Sequence, residues 1–246
     1  MKISIITVCF NSQQTIRATI KSVLSQSYKQ VEYIIIDGAS TDNTIKIIKE
    51  FSNSIDVFVS ESDAGIYDAI NKGISKSSGD VVGLLHADDV FDNKYVIDNV
   101  MGLFDENVDM IYGDINYVDR NDIYRVIRRW KSDSYKKGKF KWGWMPPHTG
   151  FFIKKSCFLK YGLYNLSLGS SADYELMLRM FELYNLKSKY IPLNITNMRV
   201  GGVSNSSFKN RWQANRNDKK SWKINGLKPF WFTLLIKPFI KIKQFF

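Results

Sequence analysis

Cysteine is scarce in this chain: Cys9 and Cys157 are the only two in 246 residues. They cannot form the disulfide framework of a small secreted domain, and neither has a second metal-type ligand beside it in sequence. A reducing, cytoplasmic setting is therefore expected. Long apolar runs are missing as well. In the C-terminal region the longest uncharged stretch, Pro229–Ile236, falls far short of the ~20 residues of a membrane-spanning helix. The opening MKISIITVCFN is broken by Ser4 and Thr7 and lacks a small-residue cleavage pattern, so it is expected to be a core strand and not a signal peptide. Internal repeats and low-complexity tracts are absent. Acids all but vanish after residue 208: residues 209–246 hold ten Lys or Arg against Asp218, a tail of +9 in a chain of +11. A basic tail on a nearly neutral body points to an anionic surface as partner.

What is present describes a globular α/β protein. An apolar content of 44% with 14% aromatics excludes a disordered chain. Ile3–Phe10 is a continuous apolar, β-branched run, as in a parallel strand buried on both faces. Thr15–Gln26 has helical spacing, Val31–Asp37 is a second buried strand, and Ser40 or Thr41 opens the next helix. Val57–Ser60 is a strand, Asp68–Lys76 a helix and Val81–Leu85 a strand ending at His86-Ala87-Asp88-Asp89. Such alternation predicts an open sheet with its ligand beyond the carboxyl ends of the strands. Past Met110–Tyr112 the pattern becomes mixed: a two-stranded excursion over Ile115–Trp130, a Lys/Gly/Trp-rich loop, a strand at Gly150–Ile153 and a helix over Ala172–Tyr184.

Acids follow three successive strands: Asp37, Asp63, then Asp88 with Asp89. Each alone could be a cap or turn residue. Adjacent carboxylates repel, so a site using both holds a cation between them and another anion. Mg²⁺ and Mn²⁺ take carboxylate and phosphate oxygens and stabilise a departing pyrophosphate. In DGASTDNT at 37–44, Gly38 allows a tight turn of positive φ, Ser40 or Thr41 can cap a helix, and Asp37 offers a fixed acceptor.

ITVCFN at 6–11, DGASTDNT at 37–44, SDAGIYDAINKG at 62–73 and GDVVGLLHADDVF at 79–91 occur in order with HTGFF at 148–152, ADYELMLR at 172–179 and MRVGGVSN at 198–205. Over roughly residues 1–205 the chain resembles family 2 glycosyltransferases of the GT-A fold, in particular small bacterial enzymes of O-antigen, capsule or exopolysaccharide assembly. The resemblance implies a Rossmann-like, mostly parallel central sheet flanked by helices. A nucleotide-sugar half (about 1–113) and a mixed acceptor half (about 114–208) would be followed by a basic amphipathic tail (209–246). It implies that Phe10 and Asp37 bind the base with the backbone near Val8. Gly65 and Asn71 would line the nucleotide side, Asp88 would face ribose or pyrophosphate, and Asp89 would hold Mn²⁺ or Mg²⁺. Asp173 falls at the position of the family's catalytic base.

Chemistry supports that last role, since a sugar hydroxyl needs a carboxylate to take its proton as it attacks the anomeric carbon. The alternatives are a first-turn acid favoured by the helix dipole, or Glu175 as the base. Departures from the family pattern are His86, where many relatives have Asp or Asn, and Ala172-Asp173, where many have Glu-Asp. His86 reads as a packed strand-end residue and His148 as a contact to donor or acceptor. The run Phe208–Trp212 lacks the Gln of the motif that processive relatives carry, which implies single addition.

The expected reaction is inverting transfer of one sugar from a nucleotide-sugar, a UDP-sugar foremost, to a polyprenyl-pyrophosphate-linked glycan at the inner membrane face. The tail's interleaved Phe, Trp and Lys suit a membrane interface. The competing roles for the tail are packing on the body or a homodimer contact, while nucleic acid is disfavoured by Leu234, Leu235, Ile236 and two prolines. A catalytically inactive nucleotide-sugar-binding or scaffold subunit is the rival reading of the whole chain. A nucleotidyltransferase would show a Gly-rich basic loop, absent from TVCFNSQQT.

Overall fold

The computed structural model describes residues 1–201 and 208–240. Strand β1 (Ile3–Cys9) is buried throughout because it has parallel neighbours on both edges, β2 (Val31–Asp37) and β4 (Val81–Leu84), with β3 (Val57–Ser60) beyond β2. Burial on both faces accounts for the unbroken apolar run. Ile6 and Val8 of β1 pack with α3 (Ile66–Lys76), while Ile3, Ile5 and Cys9 pack with α1 (Ile16–Leu24) and α4 (Val96–Met101). A short helix, α2 (Thr44–Lys49), completes the crossover from β2 to β3.

Below this sheet Glu32, 5% exposed, accepts from Ser4 Oγ at 2.5 Å, Ser78 N at 2.7 Å, Ser78 Oγ at 2.5 Å and Lys2 Nζ at 2.9 Å. One carboxylate thereby ties β1, β2 and the turn before β4. Burial alone would raise its pKa; the four donors outweigh that and hold it at about 2.

The second half joins through antiparallel strands. β8 (Phe151–Lys154) pairs with β4 and with β6 (Met110–Val118), and β9 (Ser188–Arg199) runs parallel to β6. With β5 (Val90–Phe91) on β9 and β7 (Val126–Trp130) on β6, the described residues form one nine-stranded sheet, ordered β3-β2-β1-β4-β8-β6-β9-β5. Met110–Tyr112 and the start of the two-stranded excursion are thus a single strand. The helix expected over 172–184 is α6 (Ala172–Leu178), continued by a π-turn over Arg179–Leu183; α5 (Lys155–Tyr161) precedes it.

The basic C-terminal stretch is docked on the body. Helices α7 (Phe208–Ile224) and α8 (Thr233–Ile240) lie against it, and Trp222, 1% exposed, joins the same core as α6. Its indole donates to Tyr174 Oη at 2.9 Å, and Lys237 pairs with the buried Asp218 at 2.6 Å. The division at 208/209 is therefore not a physical boundary. Residues 202–205 of the MRVGGVSN motif and 241–246 of the tail lie outside the described residues, as do the side chains of the Phe208–Trp212 run.

Candidate active site

The order β3-β2-β1-β4 reverses direction between β1 and β4, and such a switch point opens a crevice at the carboxyl ends of the strands. The β1–β4 ladder stops at Ile6↔Leu84, whereas β1 pairs with β2 as far as Cys9↔Asp37. The Ile6 carbonyl accepts from Leu85 N at 3.0 Å. Strand alternation aims the Val8 N–H and C=O the same way, past the last rung and into the crevice.

Two sequence motifs are laced into one platform beside it. Asn11 N donates to Ser40 Oγ at 2.8 Å, Thr41 N to Asn11 Oδ1 at 2.9 Å, and Ser12 N to Thr44 Oγ1 at 2.7 Å. Asn11 and Ala39 both adopt left-handed φ, 49° and 61°. Two such non-glycine residues in facing loops store strain of the kind found at ligand sites. The positive φ thus falls on Ala39, not on Gly38. Gly38 serves in another way: a Cβ there would stand 2.6 Å from Asp63 Oδ2, so glycine lets that carboxylate lie against the turn. Above the platform Phe10 is 62% exposed, a free aromatic face.

Asp37 lies beneath and is fully buried. Its Oδ1 accepts from Cys9 Sγ at 3.4 Å and Ser40 Oγ at 2.5 Å; its Oδ2 accepts from Ser40 N at 3.0 Å and Ser60 Oγ at 2.7 Å. A carboxylate has about four acceptor positions, and here all are met from within the protein. Ser40 is spent on Asp37 and Asn11, so it does not cap the helix; α2 starts at Thr44, whose N–H is taken by Asp42 Oδ1 at 2.9 Å. Gly65, φ 114°, sits at the N-terminus of α3 with open space where a Cβ would be, held by Asp63 Oδ1 at 2.8 Å. Asn71 is engaged elsewhere. Its amide donates to Tyr164 O at 2.9 Å and accepts from Tyr164 N at 3.0 Å, clamping α3 to the loop before α6.

Beyond β4 the Asp88–Asp89 turn is fixed from α1, where Thr19 Oγ1 donates to Ala87 O at 3.0 Å and Asp89 O at 2.8 Å. Arg199, at the end of β9, donates from its guanidinium to the Asp88 carbonyl and from its N–H to Asp89 Oδ1 at 3.3 Å. Asp89 is 1% exposed and its Oδ2 has no partner. Burial raises the pKa of both carboxyls, and Asp88 raises that of Asp89 further. An orphaned carboxylate oxygen beside a second carboxylate fits a hard divalent ion. Among the described residues no three His, Cys, Asp or Glu side chains converge on one point, so the remaining ligands of such an ion would be phosphate and water.

Asp173 opens α6, its side chain 16% exposed, and His148 Nδ1 lies 3.6 Å from its Oδ2. The His148 ring is 5.7 Å from that of His86, whose pKa is lowered to about 3 by burial and by His148. The two histidines thus bridge the acidic turn and the α6 start. Glu175, the competing base, is 2% exposed and paired with Arg179 at 2.8 Å and Asn225 at 3.1 Å, which removes it from the cleft. Three residues not singled out from sequence complete the site. Burial, with the Asp173 charge nearby, pushes the Tyr67 hydroxyl far up. Tyr117 stacks on Trp130 at 6.5 Å under the Arg128 guanidinium, within electrostatic reach of both Asp89 and Asp173. Arg199 is the third; its place in MRVGGVSN was the available signal.

Solved structures share this architecture. TarS of Staphylococcus aureus, seen in complex with UDP-GlcNAc, aligns over 92% of this chain with a TM-score of 0.69 and 14% identity. The chain spans 65% of that TarS chain. Mannosyltransferase PcManGT of Pyrobaculum calidifontis, in complex with GDP-Man and Mn²⁺, aligns over 99% of this chain and 69% of its own, with a TM-score of 0.63 and 16% identity. The fold is that of GT-A glycosyltransferases. Residues 4–164 match Glycosyl transferase family 2, and the chain belongs to that family. An uncharacterized glycosyltransferase of Mycobacterium tuberculosis is 32% identical over 188 residues, 72% of this chain and 68% of that protein. The PGL/p-HBAD biosynthesis glycosyltransferase of Mycobacterium bovis is 26% identical over 209 residues, 82% of this chain and 79% of its own. Among the described residues no helix is long and apolar enough to cross a membrane.

Proposed function

We propose that this glycosyltransferase moves one sugar from a UDP-sugar to a hydroxyl of a polyprenyl-pyrophosphate-linked glycan, inverting the anomeric centre, in bacterial surface polysaccharide or glycolipid assembly. The observation that carries this reading is the unpartnered Asp89 Oδ2 two residues past Ala87, with His86 against His148 and His148 against Asp173. Phe10 stacks on the base, the Val8 backbone contacts it from the crevice, and Asp37 holds the platform through Ser40 and Ser60. Gly65 leaves room for the donor beside α3. Asp88 faces ribose or pyrophosphate, and Asp89 holds the divalent ion. When bound, Mn²⁺ or Mg²⁺ supplies positive charge against the pyrophosphate.

Asp173 Oδ2 takes the proton of the acceptor hydroxyl as its oxygen bonds to the anomeric carbon. The bond from that carbon to the nucleoside diphosphate breaks on the opposite face, and the electron pair leaves with the phosphate oxygen. His148 orients the carboxylate and contacts the sugar. One in-line displacement inverts the centre and needs no covalent intermediate. The UDP-GlcNAc of the TarS structure and the Mn²⁺ of the mannosyltransferase support the donor and ion. The PGL/p-HBAD biosynthesis relative supports a place in polysaccharide or glycolipid assembly, as does the poly-beta-1,6-N-acetyl-D-glucosamine synthase of Staphylococcus epidermidis, 42% identical over 93 residues, 37% of this chain and 23% of its own.

A donor panel tests this, with purified protein, with and without Mn²⁺, wild type against Asp89→Ala. Metal-dependent turnover or binding of one donor, lost in the variant, and a product of inverted configuration by NMR are expected. No nucleotide-sugar binding with metal present would overturn the reading and favour the scaffold alternative.

A further inference from the structure

The loop Gly138–Gly143 and the docked segment 228–236 meet in space although nearly ninety residues separate them. Left-handed glycines, Gly138 at φ 91° and Gly143 at φ 77°, bracket the turn Lys139–Trp142. A Cβ on Gly143 would stand 3.2 Å from the Lys237 backbone, so glycine is what lets α8 rest on the loop. Thr233 Oγ1 donates to Lys141 O at 2.6 Å and fixes the two segments together. On their outer side Trp142 lies 5.5 Å from both Phe230 and Phe232, and Trp231 lies 5.5 Å from Phe232.

This aromatic cluster faces outward. Trp231 is 86% exposed, Trp142 59%, Leu235 57% and Phe230 41%. Lys141 lies over the Phe230 ring at 5.5 Å, and Lys136 and Lys137, just before the loop, and Lys228 are exposed. Two of the acids nearby are buried: Glu182 accepts from Gly138 N and Phe140 N, and Asp218 pairs with Lys237. The third, Asp133, is exposed, but it pairs with Lys139 and accepts from Trp144 Nε1. The surface there carries indole and phenyl rings among lysines that outnumber the exposed acid, Asp133, which Lys139 already neutralises.

We infer that this two-segment face is an interfacial docking surface for an anionic lipid bilayer. Trp and Phe rings bury at the headgroup boundary, and lysines draw in the anionic headgroups. The occupant is a membrane surface and not a spanning environment, since neither segment is long enough to cross. The contact is not the basic tail as a whole, because α7 is anchored inward through Trp222 and Lys237 is spent on Asp218. Instead a loop of the acceptor half supplies part of it. That loop continues through Gly143–Pro147 directly to His148 in the cleft, which sets the lipid surface beside the acceptor wall. The inference draws on the proposed function only for the reason a lipid surface is wanted there.

Vesicle co-sedimentation tests it, with the full chain, phosphatidylcholine vesicles, and vesicles containing phosphatidylglycerol. Wild type is expected to bind the anionic vesicles, to release with salt, and to lose roughly tenfold in partitioning on Trp142→Ser/Trp231→Ser. Trp231→Ser alone, at the most exposed position, guards against a folding defect, with circular dichroism as the check. Failure of wild type to bind anionic vesicles overturns the inference, as does equal binding by the double variant. So does a concentration-dependent dimer in light scattering that the double variant abolishes without any vesicle binding. Donor hydrolysis without vesicles, measured in parallel, reports separately on the transferase reading.

Discussion

His148 Nδ1 lies 3.6 Å from Asp173 Oδ2, joining the turn after Pro147 to the first turn of α6. Asp173→Asn keeps the shape and removes the proton acceptor. General-base catalysis contributes roughly 10²–10⁴-fold, so transfer kcat is expected to fall by about that factor while donor affinity stays close to wild type. His148→Gln is expected to cost less, because the carboxylate remains. Steady-state kinetics with calorimetric donor binding separates the two; lost donor binding in Asp173→Asn would count against the base role.

The unpartnered Asp89 Oδ2 gives a stability readout independent of turnover. Ligand at ~100 times its Kd adds about 2.7 kcal/mol to a native state. Mn²⁺ with UDP should therefore raise the Tm of the wild type by several degrees and leave Asp89→Asn nearly unmoved. Equal shifts in thermal unfolding would mean the ion binds elsewhere.

Glu32 makes stability depend on acid. Its folded pKa, about 2, lies below the ordinary carboxylate value of 4.5, so the stabilisation is present in full above that value. It is lost as pH falls from there through about 2, where the folded state too takes up the proton. At 1.36 kcal/mol per pKa unit, the shift from 4.5 to about 2 is worth about 3 kcal/mol, and Glu32→Gln is expected to cost up to that at pH 7. Urea titrations at pH 7 and pH 3 should show the gap between wild type and variant narrowing at the lower pH; a constant gap would contradict the assignment.

Trp222 tests whether the C-terminal helix belongs to the core. Truncating a buried Trp to Ala costs roughly 3–5 kcal/mol, and Trp222→Ala should approach that loss, whereas Trp222→Phe forfeits mainly the bond to Tyr174. A value under about 1 kcal/mol for the Ala variant, the range of surface substitutions, would mean α7 is only loosely attached.

The parallel half was legible because burial on both faces leaves a plain signature, and β1, β2 and β3 fall within a residue of their expected ends. β9 was not read. Pro192 interrupts its run, and register shifts where it passes Gly113–Ile115 break the alternation that marks a strand. The helix from Ala172 runs to Leu183 much as expected, but its last turn is a π-turn that begins at Arg179, whose guanidinium donates to the carbonyls of Tyr161, Gly162 and Leu163, a tertiary contact invisible in local spacing. In the site, the acids at strand ends were readable from position alone. That Asp37 would face inward, and that Asn71 would clamp Tyr164, depended on partners 23 to 93 residues away. The tail's composition suggested a free amphipathic element, and nothing in it announced that Asp218 would be buried against Lys237.

The bond from Cys9 Sγ to Asp37 carries a further consequence. A thiol that donates to a buried carboxylate stays protonated, and burial, with the Asp37 charge, pushes the Cys9 pKa far up. Cys157, buried behind β8, is raised to about 11 by burial and by Asp109. Neither sulfur is a thiolate in the folded molecule, so neither is reactive until its surroundings open. The chain thus contains two silent clocks, one at the end of β1 and one on α5. The rate at which each takes up a thiol reagent times the opening of its own surroundings, with no label to introduce.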